Sequence, residues 1–411
     1  MNYKADGFIN RKENERWMSV MWEKCKDIQQ ELVAIRRDLH KIPEFGGELP
    51  KTKAYIIDKL NQWGIPYVEN TTDSGLVATI KGEKEGKTVA FRADMDALLI
   101  NEANDVDYIS THEGLMHACG HDAHVTMLLG AGKIFNENKA DLAGTVKLIF
   151  QTDEENSGGA KRSIAEGALE GVDAVFGTHI GSIISPKIPA GKVICTPGYV
   201  MASNDKYVIK VKGYGCHGST PEKGVDPINI AAHIVINLEE IIAREISAVK
   251  PAVQTIGKIQ AGDTYNIIPS EVIIEGTMRT LDDEVRQYMV KRIIEIAEST
   301  AKTFRGEAEV EIFWGTPPVK NDAEMAALVC ECAKEVVGAE NVIDHVDAPN
   351  MGSEDFAYFV KEVPGAFMFL SSANPEKGTD VPHHNPKFNI DEDVLWTGSA
   401  MFVKVAEKFL G

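Results

Sequence analysis

The chain has 411 residues, 44% hydrophobic and 26% charged, the profile of a globular protein long enough for two or three hydrophobic cores. A formal net charge of −19 argues against nucleic-acid or membrane-surface partners, which need basic patches, and no apolar run is long enough to span a bilayer. The N-terminus MNYKADGFINRKENER lacks the apolar core of a signal peptide, and the six cysteines (Cys25, Cys119, Cys195, Cys216, Cys330, Cys332) form no CxxC pair, so free thiols in a reducing cytoplasm are expected.

Residues 15–41 carry apolar positions at helical spacing, and the helix must stop before Pro43. A second helical pattern, KTKAYIIDKLNQW, ends at Gly64. Strand-like runs GLVATI and KTVAFRADMD follow, then HACGHDAH (117–124) opening into the helical VTMLLGAGKIF. GTVKLIFQTDEE and VDAVFGTHI read as strands, with helical AKRSIAEGALEG between them. Strands alternating with helices predict an α/β domain with a mixed, largely parallel sheet and helices on both faces.

From about Ser203 the pattern changes. DKYVIKVKG, DPINIAAHIVINLEEIIARE, VQTIGKIQAG, SEVIIEGTMRTL, the helix from DDEV and EAEVEIFWG give strand–helix–strand–strand–helix–strand, the order of a ferredoxin-like α+β domain. The α/β pattern resumes with AEMAALVCECAKEVVG, PGAFMFLSSA and a closing helix near VLWTGSAMFVKVAEKFL. The expected organisation is a catalytic domain in two parts, 1–202 and 314–411, interrupted by an inserted domain at 203–313.

In open α/β sheets ligands sit beyond the carboxyl ends of the strands. There the apolar runs end at Asp94 and Asp96, at Asp153, Glu154 and Glu155, at His179, and, through a loop, at His383 and His384. HACGHDAH starts a helix facing the same edge. Cys119 and His121, two apart, cannot share a helix face but can both point inward from a turn. Asp122 is expected to cap the helix, and His117 and His124 to stand behind the ligands or fill space as hydrogen-bonded side chains rather than ligate. Such Cys, His and carboxylate side chains suit zinc, manganese or a similar divalent ion. Of two adjacent glutamates, one can bind metal while the other takes a proton from water.

FRADMDAL (91–98), HACGHDAH, the EE of QTDEENSGGA (151–160), GTHI (177–180), MGSEDF (351–356), HHNPKF (383–388) and RRDLHKIPEFGG (36–47) resemble the M20 metallopeptidase family. The likeness is strongest to its amidohydrolase branch of aminoacylases, hippurate hydrolases, auxin-conjugate hydrolases and N-acetyldiaminopimelate deacetylases. The resemblance implies two divalent metal ions per subunit, manganese or zinc with cobalt or nickel as alternatives, held by Cys119, His121, Glu155, His179 and His384. It implies that Glu154 is the general base, that Asp96 supports the metal site, and that the inserted domain is a lid and dimerisation surface. His217 would reach a partner's site and polarise the scissile carbonyl, while Asn266 and Arg279 hold the substrate's carboxylate. The substrate would be an N-acyl amino acid or short peptide, cleaved by a homodimer or higher homo-oligomer. Thr152-Asp153 and Leu99 depart from the family's usual prolines and small residues, and Asp153 is expected to raise the pKa of Glu154.

Three other readings remain open at this stage: a dipeptidase or carboxypeptidase of the same family, a Cys-His thiol hydrolase using Cys119, and a non-catalytic metal-stabilised binding protein.

Overall fold

The computed structural model describes residues 21–346 and 350–411, so the N-terminal segment 1–20, including the first part of the expected 15–41 helix, lies outside the described residues. The described residues form two compact units, one of 21–197, 322–346 and 362–411, the other of 198–321 and 350–361.

The first unit is built on an eight-stranded sheet. Its four central strands are parallel, in the spatial order Ala143–Gln151, Lys84–Asp94, Ala174–Gly181, Gly365–Ser371. Their inner residues are buried on both faces, which is why FRAD, VFGTHI and AFMFLS read as unbroken apolar runs rather than alternating ones. Antiparallel strands Leu76–Lys81 and Tyr67–Glu69 extend one side, while Val193–Ile194 and Val342–Ile343 extend the other.

From Lys84–Asp94 the chain steps to Ala143–Gln151 on one side. It then crosses back to Ala174–Gly181 on the other. This reversal leaves a crevice beyond the carboxyl ends of the two strands flanking it, the place where doubly wound sheets bind ligands. The helix His121–Glu137 starts at that crevice and is buried along nearly its whole length, because it packs between the sheet and the helices Gln29–His40 and Leu395–Leu410. The N-terminal helical pattern is not continuous: a 3-10 segment, Met21–Lys26, precedes the α-helix Gln29–His40.

The second unit carries a four-stranded antiparallel sheet in the spatial order Ala252–Ala261, Glu271–Thr280, Asp205–Lys212, Glu307–Phe313. Helices Pro227–Glu240 and Asp283–Thr303 pack on it, giving the βαββαβ order and sheet arrangement of a ferredoxin-like domain. Strict burial alternation along Asp205–Lys212 and Glu271–Thr280 puts one face of the sheet against the helices. Asp226 and Asp282 cap the two helices through their side chains.

Candidate metal centre

Asp96 lies just past the Lys84–Asp94 strand, and its carboxylate faces the turn after Ala143–Gln151. Oδ1 accepts the backbone N–H of Glu154 and Oδ2 that of Glu155, each at 3.1 Å. One buried carboxylate therefore fixes the peptide that carries both glutamates. The Asp96 carbonyl also accepts a hydrogen bond from His121 Nδ1 at 2.8 Å. With its proton on Nδ1, His121 presents an Nε2 lone pair that is buried and has no hydrogen-bond partner among the described residues. Glu155 Oε1 is likewise buried and makes no hydrogen bond of good geometry, with His384 Nε2 3.3 Å away.

His179 belongs to the Ala174–Gly181 strand. Its Nδ1 donates to the carbonyl of Ile180 at 2.9 Å, which leaves Nε2 facing the Cys119 sulfur at 3.4 Å. Cys119 precedes the helix at Gly120, whose left-handed φ of 87° turns the chain into its first turn. The potential ligand atoms of Cys119, His121 and His179 all lie within 4.8 Å of one another, as do those of Cys119, Glu155 and His384 and those of His121, Glu154 and Glu155. Two overlapping triads sharing one sulfur, with two orphaned lone pairs, fit a pair of divalent cations.

The same convergence governs the electrostatics. Burial, with the charges of Glu155, Glu154 and Asp94, pushes the Cys119 thiol well above its usual range. Burial alone would lower His121, but Asp94 and Asp96 raise it to about 10, so a cation at Nε2 would take the place of the proton that these carboxylates otherwise hold there. The burial of His179 and the neighbouring His124 hold its imidazole well below the usual range, in the neutral form a ligand needs. An unpaired nucleophilic thiolate is disfavoured among so many carboxylates, whereas a cation would stabilise the thiolate.

Asp94, His121 and His124 form another close triad, but Asp94 and His124 are already committed to other partners. Arg92 Nη1 donates to Asp94 Oδ2 at 2.8 Å, His124 Nδ1 donates to Asp94 Oδ1 at 2.5 Å, and the Ile180 N–H donates to His124 Nε2 at 2.9 Å. His124 is thus hydrogen-bonded on both ring nitrogens. His117 is buried with neither ring nitrogen hydrogen-bonded among the described residues, and burial pushes its pKa down to about 3.

One local expectation changes. Asp122 is not the helix cap, a place taken by Gly120; it is the second helical residue. Its Oδ2 lies 2.9 Å from Arg36 Nε and 2.6 Å from His40 Nδ1, so it ties the helix Gln29–His40 to the metal-centre helix. The charge of Asp153, next to Glu154 in the chain, has partners of its own. At φ 57° its carboxylate turns to Arg162 Nη2 at 2.5 Å and Asn156 Nδ2 at 2.7 Å. Arg162 Nε also donates to Asp73, which accepts from Thr152 Oγ1 at 2.6 Å. Neither the Asp153–Arg162 pair nor the roles of His124 and Asp94 were visible from spacing, although a buried arginine inside FRAD was a usable signal.

The remaining expected residues lie in the second unit. His217 is exposed, and its Nδ1 accepts from the Ser219 backbone N–H at 3.1 Å, leaving the proton on Nε2. Its strand pairs with Ile267–Ile268, placing Asn266 beside it, and Gly218 N–H donates to the Asn266 carbonyl at 2.8 Å. Arg279, half-buried near the far end of Glu271–Thr280, donates to the Met351 carbonyl at 3.4 Å. Within this unit Arg279 is not brought together with His217 and Asn266.

Comparison with known proteins adds an independent line. The family described as Peptidase family M20/M25/M40 matches residues 90–408. An N-acetyl-L-cysteine deacetylase of Bacillus subtilis (strain 168) is 38% identical over 385 residues, covering 93% of this chain and 89% of that protein. Thermostable carboxypeptidase 2 of Saccharolobus solfataricus is 38% identical over 388 residues, covering 93% and 96%. The crystal structure of a dinuclear metal-binding M20 peptidase from Bacillus subtilis matches with a TM-score of 0.82 at 32% identity, covering 94% of this chain and 99% of that one.

Proposed function

Because the chain belongs to the M20/M25/M40 peptidase family, in its amidohydrolase branch of metal-dependent hydrolases acting on amides, we propose that it cleaves the amide bond of N-acyl amino acids. Cys119, His121, Glu155, His179 and His384 would hold two divalent ions, manganese or zinc with cobalt or nickel as substitutes. Bound there, the ions would polarise the carbonyl and bring the pKa of water into the neutral range. The observation that carries this reading is the pair of buried, unpartnered lone pairs, His121 Nε2 and Glu155 Oε1, beside the Glu154 carboxylate.

Glu154 takes the proton of the attacking water and returns it to the leaving amine. Asp96 acts on this step through the backbone, since it holds the peptide N–H groups of Glu154 and Glu155. The Nε2–H of His217 is the donor for the developing oxyanion, and Asn266 and Arg279 grip the free carboxylate on the amine side. The domain 203–313 serves as lid and dimerisation surface, with the two flanking segments as the catalytic domain. The six cysteines are free, which suits the cytoplasm as the compartment.

A carboxypeptidase among the relatives gives the second reading, cleavage of short peptides. The test is a substrate panel of N-acyl amino acids and N-blocked dipeptides, run with manganese- or zinc-reconstituted protein, with a chelator control and the Glu154→Gln variant. We expect N-acyl amino acids to give the highest kcat/KM, chelation to abolish turnover, and the variant to retain both ions with at least a hundredfold loss of kcat. Preference for dipeptides would shift the assignment to the second reading. A fully active Glu154→Gln protein would overturn the mechanism.

A further inference from the structure

His179, near the end of its strand, and His384, in a loop, are more than two hundred positions apart in the chain, yet a ligand pair works only if both rings are aimed to within a fraction of an ångström. The Ile180 carbonyl sits between them. It accepts the Nδ1–H of His179 at 2.9 Å and also lies 3.1 Å from His383 Nε2. A carbonyl can only accept, so Nε2 carries the proton of His383 and that nitrogen has no lone pair for a metal.

Three further contacts hold the His383 ring there. It packs edge-on against His179 with centroids 5.1 Å apart and lies tilted on Phe388 at 4.6 Å. Beneath it is Gly181, at φ 122°, where a Cβ would fall 2.3 Å from His383 Nε2. Only glycine leaves room for the ring to reach the carbonyl. The next residue, His384, has a left-handed φ of 61°, and its backbone N–H donates to the Ala118 carbonyl at 2.9 Å, one residue before Cys119. The loop is therefore pinned on both sides of the His383–His384 peptide. The peptide preceding Ile180 is held through the Ile180 N–H by His124, which Asp94 and Arg92 hold in turn.

We propose that His383 is a positioning residue for the metal centre, its Nε2–H sharing the Ile180 carbonyl with His179 so that one peptide group sets the orientation of both His179 and His384. This rests on the reading of those two histidines as ligands. Partners that orient ligating histidines are worth about 10- to 100-fold in metal affinity. The His383 hydrogen bond goes to the Ile180 carbonyl and not to a ligand nitrogen, so His383 acts on the acceptor of one ligand and on the backbone of the other.

The test is metal affinity of the full-length apoprotein, titrated with Co2+ against a chromophoric chelator, with the cobalt absorption spectrum recorded at each step. His383→Phe keeps a ring against His179 and Phe388 but removes the donor; His383→Gln restores an N–H close to the position of Nε2. We expect the Phe variant to lose at least tenfold affinity for one of two ions and to show altered cobalt bands. The Gln variant should recover affinity to within about threefold of the parent. Two ions held by the Phe variant with parental affinity would overturn the proposal. So would a folded Gln variant as weak as the Phe variant, because packing alone would then explain the effect. If the Phe variant does not fold, the Gln variant decides: parental affinity supports the donor role, and tenfold loss in a folded protein overturns it. A His179→Ala control separates the two levels, since a parent protein that binds no ions, or a control that loses none, refutes the ligand assignment itself.

Discussion

At the scale of single residues, Asp96 gives the sharpest prediction. Its two carboxylate oxygens accept two successive backbone N–H groups, those of Glu154 and Glu155. In Asp96→Asn one oxygen becomes an NH2 group that can only donate, so one of the two N–H groups loses its acceptor and faces another donor. The turn carrying the base and a ligand must then shift, although no proposed ligand has changed. We expect kcat to fall about 10- to 100-fold, with the bound-metal content measured by mass spectrometry still near two ions per chain. A variant within twofold of the parent would show that the turn keeps its place without Asp96. Proton-accepting and ligating residue types at strand ends were legible in the sequence, since turns rarely collect so many of them by chance. The tautomers were not legible, because which nitrogen of His121 or His124 carries the proton depends on carbonyl, carboxylate and amide groups that only folding brings near. Asp122 shows the same limit: Asp near a helix start favours a cap, but a buried arginine and histidine from another helix claim its carboxylate.

At the scale of elements, strand and helix order followed from hydrophobic periodicity, and the four parallel strands came out where unbroken apolar runs had placed them. Periodicity does not report long-range polar ties, and the second unit holds a strong one. Arg286, on helix Asp283–Thr303, donates through Nε and Nη2 to both oxygens of Asp205 at 2.7 and 2.6 Å. Asp205 also accepts the Gly315 N–H at 3.0 Å, and Trp314 lies under the guanidinium at 5.0 Å. The pair joins the helix to the first strand of the sheet and to the end of the last, and Asp205 is fully buried. Arg286→Met would leave a buried carboxylate with one backbone donor, and we expect a loss of about 3–5 kcal/mol in the stability of this unit. Adding Asp205→Val removes the stranded charge and should recover part of that loss, limited by the Gly315 N–H left without its acceptor. Calorimetric melting of the parent, single and double variants measures both steps. A single variant that melts with the parent would show that the pair contributes little.

At the scale of the whole molecule, the position of His217 bears on assembly. His217 and Asn266 sit together just beyond one end of the strand Glu271–Thr280, while Arg279 stands near its other end. Glu271 and Arg279 are eight residues apart on one strand, roughly 26 Å at the rise of an extended chain. A single N-acyl amino acid cannot touch both ends of that strand, so a site using all three residues needs His217 and Asn266 from one copy and Arg279 from another. The family resemblance already sends His217 to a partner's site but keeps Asn266 with Arg279; the strand register sets Asn266 beside His217 instead. Mixing two inactive variants tests the consequence. In a twofold dimer formed from Glu154→Gln and His217→Ala chains, one site receives both defects and the other receives neither. Equal amounts, unfolded and refolded together, should yield about half heterodimers and hence about a quarter of parental activity, while each variant refolded alone stays near zero. Activity no higher than the mean of the separate variants would place His217 and Glu154 in the same subunit's site, or remove His217 from the chemistry. Replacing His217→Ala with Arg279→Ala provides the converse. If Arg279 serves the same subunit's site as Glu154, every site in that mixture carries one defect, so its activity should stay at the mean of the separate variants, and recovery to about a quarter of parental activity would assign Arg279 to the partner's site.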